Sequence, residues 1–503
     1  MKTLFFLFQI SLVVAHVGNP AIVYEGNAGD YPIRAVIRTP GVVPGLADIT
    51  ITSLDSKINH VTTQPMKWDA GLEGSPPADI ALPMHGQPHI FTSELWLMDF
   101  GSYSINVDVN GKLGNGKAVI PVNSIATKKA VMNPVIEWTL LFFMVLLAVG
   151  FITIVGASIR ESTLEPGKTV NSSVLKKSRI YMGFAFLFTI AVLIGGKNWW
   201  DSIEARYYSN LFKPPETKSS VYMQKDKTVL TLEITDPFWK SGRIPPIVPN
   251  HGKMMHTYIM SQDLSVFAHL HPVMEKENSD RFGLELPDFP EGEYFIYSDV
   301  TTESGFSMTL LDTISLPVQN GAVSDKAYPP DPDNSWIIQL PQKSANEQSV
   351  IFTDGSKLNW LNSSKEHSPG SVQMDFQLTG PNNHPLPLEP YLEMGGHGII
   401  YKLDGSLFVH IHPTGNFSMA SQEVLYELKE GVEVNPQELF CTFGFRQEMD
   451  GKLIPNLIED GRVTFPPFEL TERGDYRIWI QVKSSGEVKT GVFDLTIVAD
   501  ENA

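Results

Sequence analysis

The chain has 503 residues, 42% hydrophobic and 19% charged, which is ordinary folding material and enough for roughly three domains. Its formal charge of −18 excludes a surface built to neutralise nucleic-acid phosphates. The single cysteine, Cys441, excludes an intrachain disulfide framework and any cysteine-rich zinc or iron–sulfur site, so a bound metal must rest on histidine, methionine or oxygen.

In chain order, residues 1–15 (MKTLFFLFQISLVVA) read as a secretory signal peptide with cleavage after Ala15, which would leave His16 at the mature N-terminus. Residues 16–130 alternate short β-rich runs with Gly and Pro (YPIRAVIRTP, ADITITSL, ELWLMDF, YSINVDVNG, KAVIPVNS), the pattern of an extracytoplasmic β-sandwich. Trp138–Ile159 offers 22 residues without a charge and Ile180–Gly196 another 17, so a transmembrane hairpin is predicted over 134–197. The connecting loop 160–179 carries Arg160, Lys168, Lys176, Lys177 and Arg179 against Glu161 and Glu165, which places it in the cytoplasm and both flanking parts outside.

After a juxtamembrane linker (198–224), a first β-module spans 225–322 and a second spans 336–503, joined by a Pro-rich linker at 323–335 containing DKAYPPDPD. The second module has an insertion at 414–460, which holds Met419, Cys441 and Met449. Gly101-Ser102-Tyr103, Gly292-Glu293-Tyr294 and Gly474-Asp475-Tyr476 each open an alternating strand, as in the tyrosine corner of immunoglobulin-like sandwiches. The fold class expected is mainly β: three immunoglobulin-like sandwich modules plus a two-helix transmembrane hairpin.

The chemistry concentrates in one motif present twice, H-x12-H-x-H-P: HTYIMSQDLSVFAHLHP at 256–272 and HGIIYKLDGSLFVHIHP at 397–413. Residues i and i+2 of a strand share a face about 6.6–6.8 Å apart, so His269 and His271 project together, as do His410 and His412. A hairpin turning at Gln262 and Asp263 would pair 256 with 269 and 254 with 271, gathering Met254, His256, His269 and His271 on one exposed face. In the second copy the Asp404-Gly405 turn would set His397 opposite His412, and the glycines of LEMGGH let Met394 fold back.

Three imidazoles with a thioether suit copper, as Cu(I) or Cu(II), with zinc as the alternative. The expected ligands are His256, His269, His271 and Met254 in one site and His397, His410, His412 and Met394 in the other. His251, five residues before His256, is a spare ligand, and His85 with His89 is a third, weaker candidate. His60, His367 and His384 read as incidental. The competing reading has each imidazole simply hydrogen-bonded in a half-buried strand face. No nucleophile elbow, P-loop, zincin helix or dinucleotide fingerprint occurs, so no enzymatic role is expected.

The stretch from PIRAVIRTPGVVPGLADITI to ELWLMDFGSYSINVDVNGKLGNGKAVIPV resembles the YtkA-like and FixH-like group of bacterial envelope proteins. That resemblance implies small immunoglobulin-like modules, often membrane-tethered, linked to metal handling or respiratory-oxidase assembly. HLHP and HIHP are similar to motifs in bacterial copper-associated proteins, which implies that His269, His271, His410 and His412 are ligands. The expectation is a copper buffer, carrier or assembly factor in the bacterial inner membrane, with its terminal domains in the periplasm. It would contact the lipid bilayer and a membrane or periplasmic protein partner, and no nucleic acid. The alternative is a structural subunit whose sandwiches bind another envelope protein.

Overall fold

The computed structural model describes residues 16–17, 21–55, 58–129, 131–162, 164–165, 167–224, 227–276, 279–316, 328–343, 348–364, 366–432, 446–449, 452–455 and 457–498. The signal-peptide segment and Cys441 lie outside the described residues. The chain divides into two compact units: a helical one, Ile125–Phe212, and a β unit made of Met1–Ser124 with Lys213–Ala503.

The helical unit is an α-hairpin. Pro134–Glu161 starts at Asn133, whose side chain accepts from the Val135 N–H, and has Pro at its first turn; Ser172–Ser209 starts on Asn171 in the same way. The helices meet where Gly156 leaves room: the Ser178 hydroxyl donates to the Gly156 carbonyl at 2.8 Å, and Met182 covers the glycine. Nearly all other apolar side chains point outward, and both helices are long and apolar enough to cross a membrane. The second helix runs on to Ser209, where a linker was expected from 198, with Lys197 and Asp201 paired one turn apart.

The β unit is antiparallel apart from two short parallel pairings, His16–Val17 with Leu407–Phe408 and Glu366–His367 with Thr496–Ile497. Between Ala21 and Ser124 eight strands form one sheet path around a single core, with Tyr31, Ile33, Ala35 and Ile37 buried at alternate positions. The next stretch has a four-stranded sheet and a six-stranded sheet closing on Leu230, Phe282, Ile259 and Ile296. The last has a five-stranded and a six-stranded sheet closing on Phe376, Phe465, Ile400 and Ile480. All three expected tyrosine corners form: Tyr294 and Tyr476 donate to the carbonyls of Pro290 and Glu472 (2.7 Å each), and the Tyr103 hydroxyl accepts from the Asp99 N–H at 3.2 Å.

The two six-stranded sheets carry the histidine hairpins. In the first, His256–Ser261 pairs with Phe267–Leu270, Thr257 opposite Leu270 and Tyr258 opposite His269. The loop is longer than the two-residue turn expected, because Asp263 accepts from the Ser261 hydroxyl and from the Ser265 N–H and hydroxyl, with Leu264 left-handed (φ 58°). The pairing shifts by two residues, which keeps every side chain on its predicted face. In the second, His397–Lys402 pairs with Leu407–Ile411, Gly398 opposite Ile411, so His397 lies across from His412 as expected.

Alternation then decides the packing. Ile259, Ala268 and Leu270 point into the first core and Ile400, Val409 and Ile411 into the second. The opposite faces, with Tyr258, Met260 and Phe267 from one sheet and Ile399, Tyr401, Phe408 and Trp479 from the other, meet in a shared buried cluster. Phe267 stacks on Trp479 (ring centroids 4.9 Å, 13°) and Tyr297 on Phe408 (4.2 Å, 8°). The histidine faces, expected on exposed sheet surfaces, are therefore sealed between the two modules.

Trp479 is fully buried at this interface. Trp479→Ala is expected to cost about 3–5 kcal/mol, the usual range for an aromatic truncated in a core. Denaturant unfolding followed by tyrosine and tryptophan fluorescence checks this; a loss below about 1 kcal/mol would mean that the face-to-face packing contributes little.

Candidate metal centre

Seven imidazoles converge at one end of this interface: His251, His256, His269 and His271 from the first module and His397, His410 and His412 from the second. Six of them fall into two trios, His256 with His269 and His271, and His251 with His397 and His412. Within each trio one ligand atom per residue lies within 4.8 Å of the others, and all six residues are buried. Either trio can hold a metal ion.

The first trio has its tautomers set by neighbours. A carbonyl accepts only, so His256 donates from Nε2 to the Asn250 carbonyl (2.9 Å) and keeps its Nδ1 lone pair. Asn334 Oδ1 accepts from the His271 backbone N–H (2.9 Å) and from its Nδ1–H (3.0 Å), which frees Nε2, a buried atom with no hydrogen-bond partner. Gln481 Oε1 lies 2.9 Å from His269 Nδ1 while the Gln481 amide donates to the Ser335 hydroxyl, so Nδ1 carries the proton and Nε2 is free. His256 Nδ1 and His269 Nε2 then face each other at 3.1 Å, two lone pairs. With metal–nitrogen bonds of about 2.0–2.1 Å, that spacing is what two ligands of one ion require. The Asn250 carbonyl, Asn334 and Gln481 thereby fix the tautomer and orientation of each ring, as outer partners of a metal-bound imidazole must.

In the second trio all six ring nitrogens of His251, His397 and His412 are buried without a hydrogen-bond partner. The Phe417 backbone is near His412 but outside hydrogen-bonding geometry. An unsatisfied buried polar atom costs about 1–3 kcal/mol, and a shared cation would satisfy three of the six at once. His251 sits in a two-residue turn in which Asn250 and Lys253 exchange backbone hydrogen bonds (2.8 and 3.0 Å), with His251 at φ 50° and Gly252 at φ 72°. A non-glycine residue held there carries strain of the kind found at functional sites. From the sequence alone His251 is only a spare ligand; the His-Gly pair between Asn250 and Lys253 is the signal that it sits in a tight turn.

His410 is the expected histidine ligand that joins neither trio. Its Nδ1–H donates to Asp299 (3.1 Å) and its Nε2 accepts from the Tyr258 hydroxyl (2.9 Å). The two modules exchange supports here. Asp299 is the cross-strand neighbour of His256 but holds His410, whereas Gln481 is the neighbour of His397 but holds His269. Tyr391, whose hydroxyl donates to the Asp333 carbonyl at 3.0 Å, comes within 3.2 Å of His269 Nδ1.

The expected thioethers go elsewhere. Met254 packs on the first module's core, and Met394 joins the core cluster of the N-terminal sheet together with Phe417 and Met419. His85 and His89 are exposed on a hairpin of the N-terminal sheet and join no metal-holding group among the described residues. Residues 328–335 of the Pro-rich linker dock here: Lys253 pairs with Asp331 (2.6 Å) and Asp333 (3.3 Å), and Ser335–Ile337 adds a strand beside Phe267–His269.

Residues 350–499, the bulk of the second module, match the model of a family described as a domain of unknown function, DUF8832. No curated protein matches the chain. Among solved structures it is similar to dimeric latent PorU from Porphyromonas gingivalis, at 10% identity over 91% of this chain and 32% of that one, TM-score 0.14. It is also similar to the chicken CNTN1 FN1–FN3 domains, at 9% identity over 95% of this chain and 99% of that one, TM-score 0.14. A third is E. coli alpha-2-macroglobulin, at 8% identity over 96% of this chain and 23% of that one, TM-score 0.19. The chain thus spans about a third of PorU and a quarter of the macroglobulin. Scores this low support no shared architecture and no shared role.

Burial, reinforced by neighbouring imidazoles, holds His251, His269, His271, His397, His410 and His412 well below the ordinary imidazole value of 6.5. Burial also lowers His256, with the Asn250 carbonyl opposing it. The unfolded chain takes up these protons as pH falls through 6.5 and the folded chain does not, so the imidazoles stabilise the metal-free fold above that pH and this contribution is lost below it. Denaturation of chelator-treated protein between pH 5 and 8 tests the sign, and a profile that rises toward acid would contradict it.

Proposed function

We propose that this is a membrane-anchored, extracytoplasmic copper-binding protein that buffers or delivers the metal, or supplies it during assembly of a membrane metalloenzyme. The observation that carries the reading is the first trio, in which three hydrogen-bonded outer partners leave one free nitrogen on each of three imidazoles clustered within metal-holding reach. Neutral imidazole suits Cu(II) and Zn(II), and among divalent first-row ions Cu(II) binds such a set most strongly. The apolar hairpin supplies the anchor, with its basic loop in the cytoplasm and the histidine modules on the periplasmic side of a bacterial inner membrane. The β-modules, immunoglobulin-like in this reading, carry ions to a membrane or periplasmic partner and catalyse no reaction themselves.

Copper titration of the full chain in detergent, followed by metal analysis after desalting, is expected to give two ions per chain and one in the His269→Ala/His271→Ala double variant. Gln481→Leu, which releases the His269 tautomer, is expected to weaken binding at the first trio about 10–100-fold. Failure to retain copper at micromolar concentration would sink the reading and leave a tethered scaffold.

A further inference from the structure

The two trios are not separated by protein. Rings of different trios come within half an ångström or so of the spacing inside a trio: His251 lies 6.1 Å from His256 and His269 lies 5.9 Å from His397, against 5.1 Å for His256–His271 and 5.6 Å for His251–His397. One further imidazole touches both. His410 is 6.0 Å and 6.2 Å from His256 and His269, and 5.4 Å and 4.3 Å from His397 and His412. Asp299 and Tyr258 hold both of its nitrogens, so it is a fixed ring standing beside the trios.

The second trio also belongs to neither module alone, since His251 comes from the first and His397 with His412 from the second. Resting on the copper reading above, we propose that the trios are the two halves of a single dinuclear centre. Its ions lie close enough for their unpaired electrons to interact, and the second ion fastens one module to the other. His410 is a positioning residue in this centre. Its hydrogen bonds to Asp299 and Tyr258 keep it from ligating either ion and fix the space between them.

Electron paramagnetic resonance of the full chain in detergent, loaded with Cu(II) alone, tests this without any substitution. With two ions bound, a dipolar-broadened spectrum and a half-field transition are expected. With His251→Ala, which removes one ligand from the second trio only, the half-field transition should disappear and the sharp spectrum of one isolated Cu(II) should remain. Circular dichroism of that variant confirms that the fold persists. Two bound ions giving an unbroadened, additive spectrum would overturn the dinuclear centre and leave copper carriage intact, as would saturation at one ion in the unmodified chain. Absence of Cu(II) binding would overturn both.

Discussion

Everything at this site follows from two β-sheets burying like faces against each other. A strand alternates its side chains, so each histidine hairpin must place its aromatics and its imidazoles on the same side. Tyr258, Met260 and Phe267 cannot be buried against Ile399, Tyr401, Phe408 and Trp479 without carrying the histidines into the same contact. Aromatic pairs contribute about 0.5–1.5 kcal/mol each beyond the area they bury, and the Phe267–Trp479 and Tyr297–Phe408 stacks fix the separation of the sheets. The imidazoles are brought together by apolar packing that has no need of them.

Much of this was legible in the chain. The repeated spacing, the shared face of His269 with His271 and of His410 with His412, the tyrosine corners and the helical hairpin all rest on local periodicity, and local periodicity survives folding. What was not legible depends on the second module's position. A single hairpin offers no sign that its histidine face will be covered, that Gln481 will set a tautomer across the interface, or that linker residue Asn334 will hold His271. The methionines misled for the same reason. Met254 and Met394 stand close to the histidines in sequence, but apolar cores were available to both, and a thioether gains more from packing there than from a polar cluster.

Two differences between the copies explain why the site is not a symmetric pair. Where the first hairpin has Tyr258, the second has Ile399, at the same offset from the leading histidine. The Tyr258 hydroxyl reaches across and occupies His410 Nε2, while Ile399 has nothing to donate, so the equivalent nitrogen of His269 stays free. The second trio then lacks its middle imidazole. Where the second copy has Leu392, the first has His251, in the same left-handed turn conformation (φ 48° and 50°). The vacancy made by one substitution is filled by the other, across the module boundary.

That exchange sets the energetic logic of the metal-free protein. Buried neutral imidazoles with unpartnered nitrogens weaken the interface, and the face-to-face aromatic packing offsets them. An ion that binds only when His251, His397 and His412 are assembled stabilises the docked arrangement by as much as it prefers that arrangement to the separated modules. Metal binding at the second trio and module docking would therefore be linked equilibria. A change in the aromatic contact would then act on metal binding at the second trio through the docking equilibrium, while the first trio keeps its three ligands on one hairpin and loses only the supports that Gln481 and Tyr391 provide.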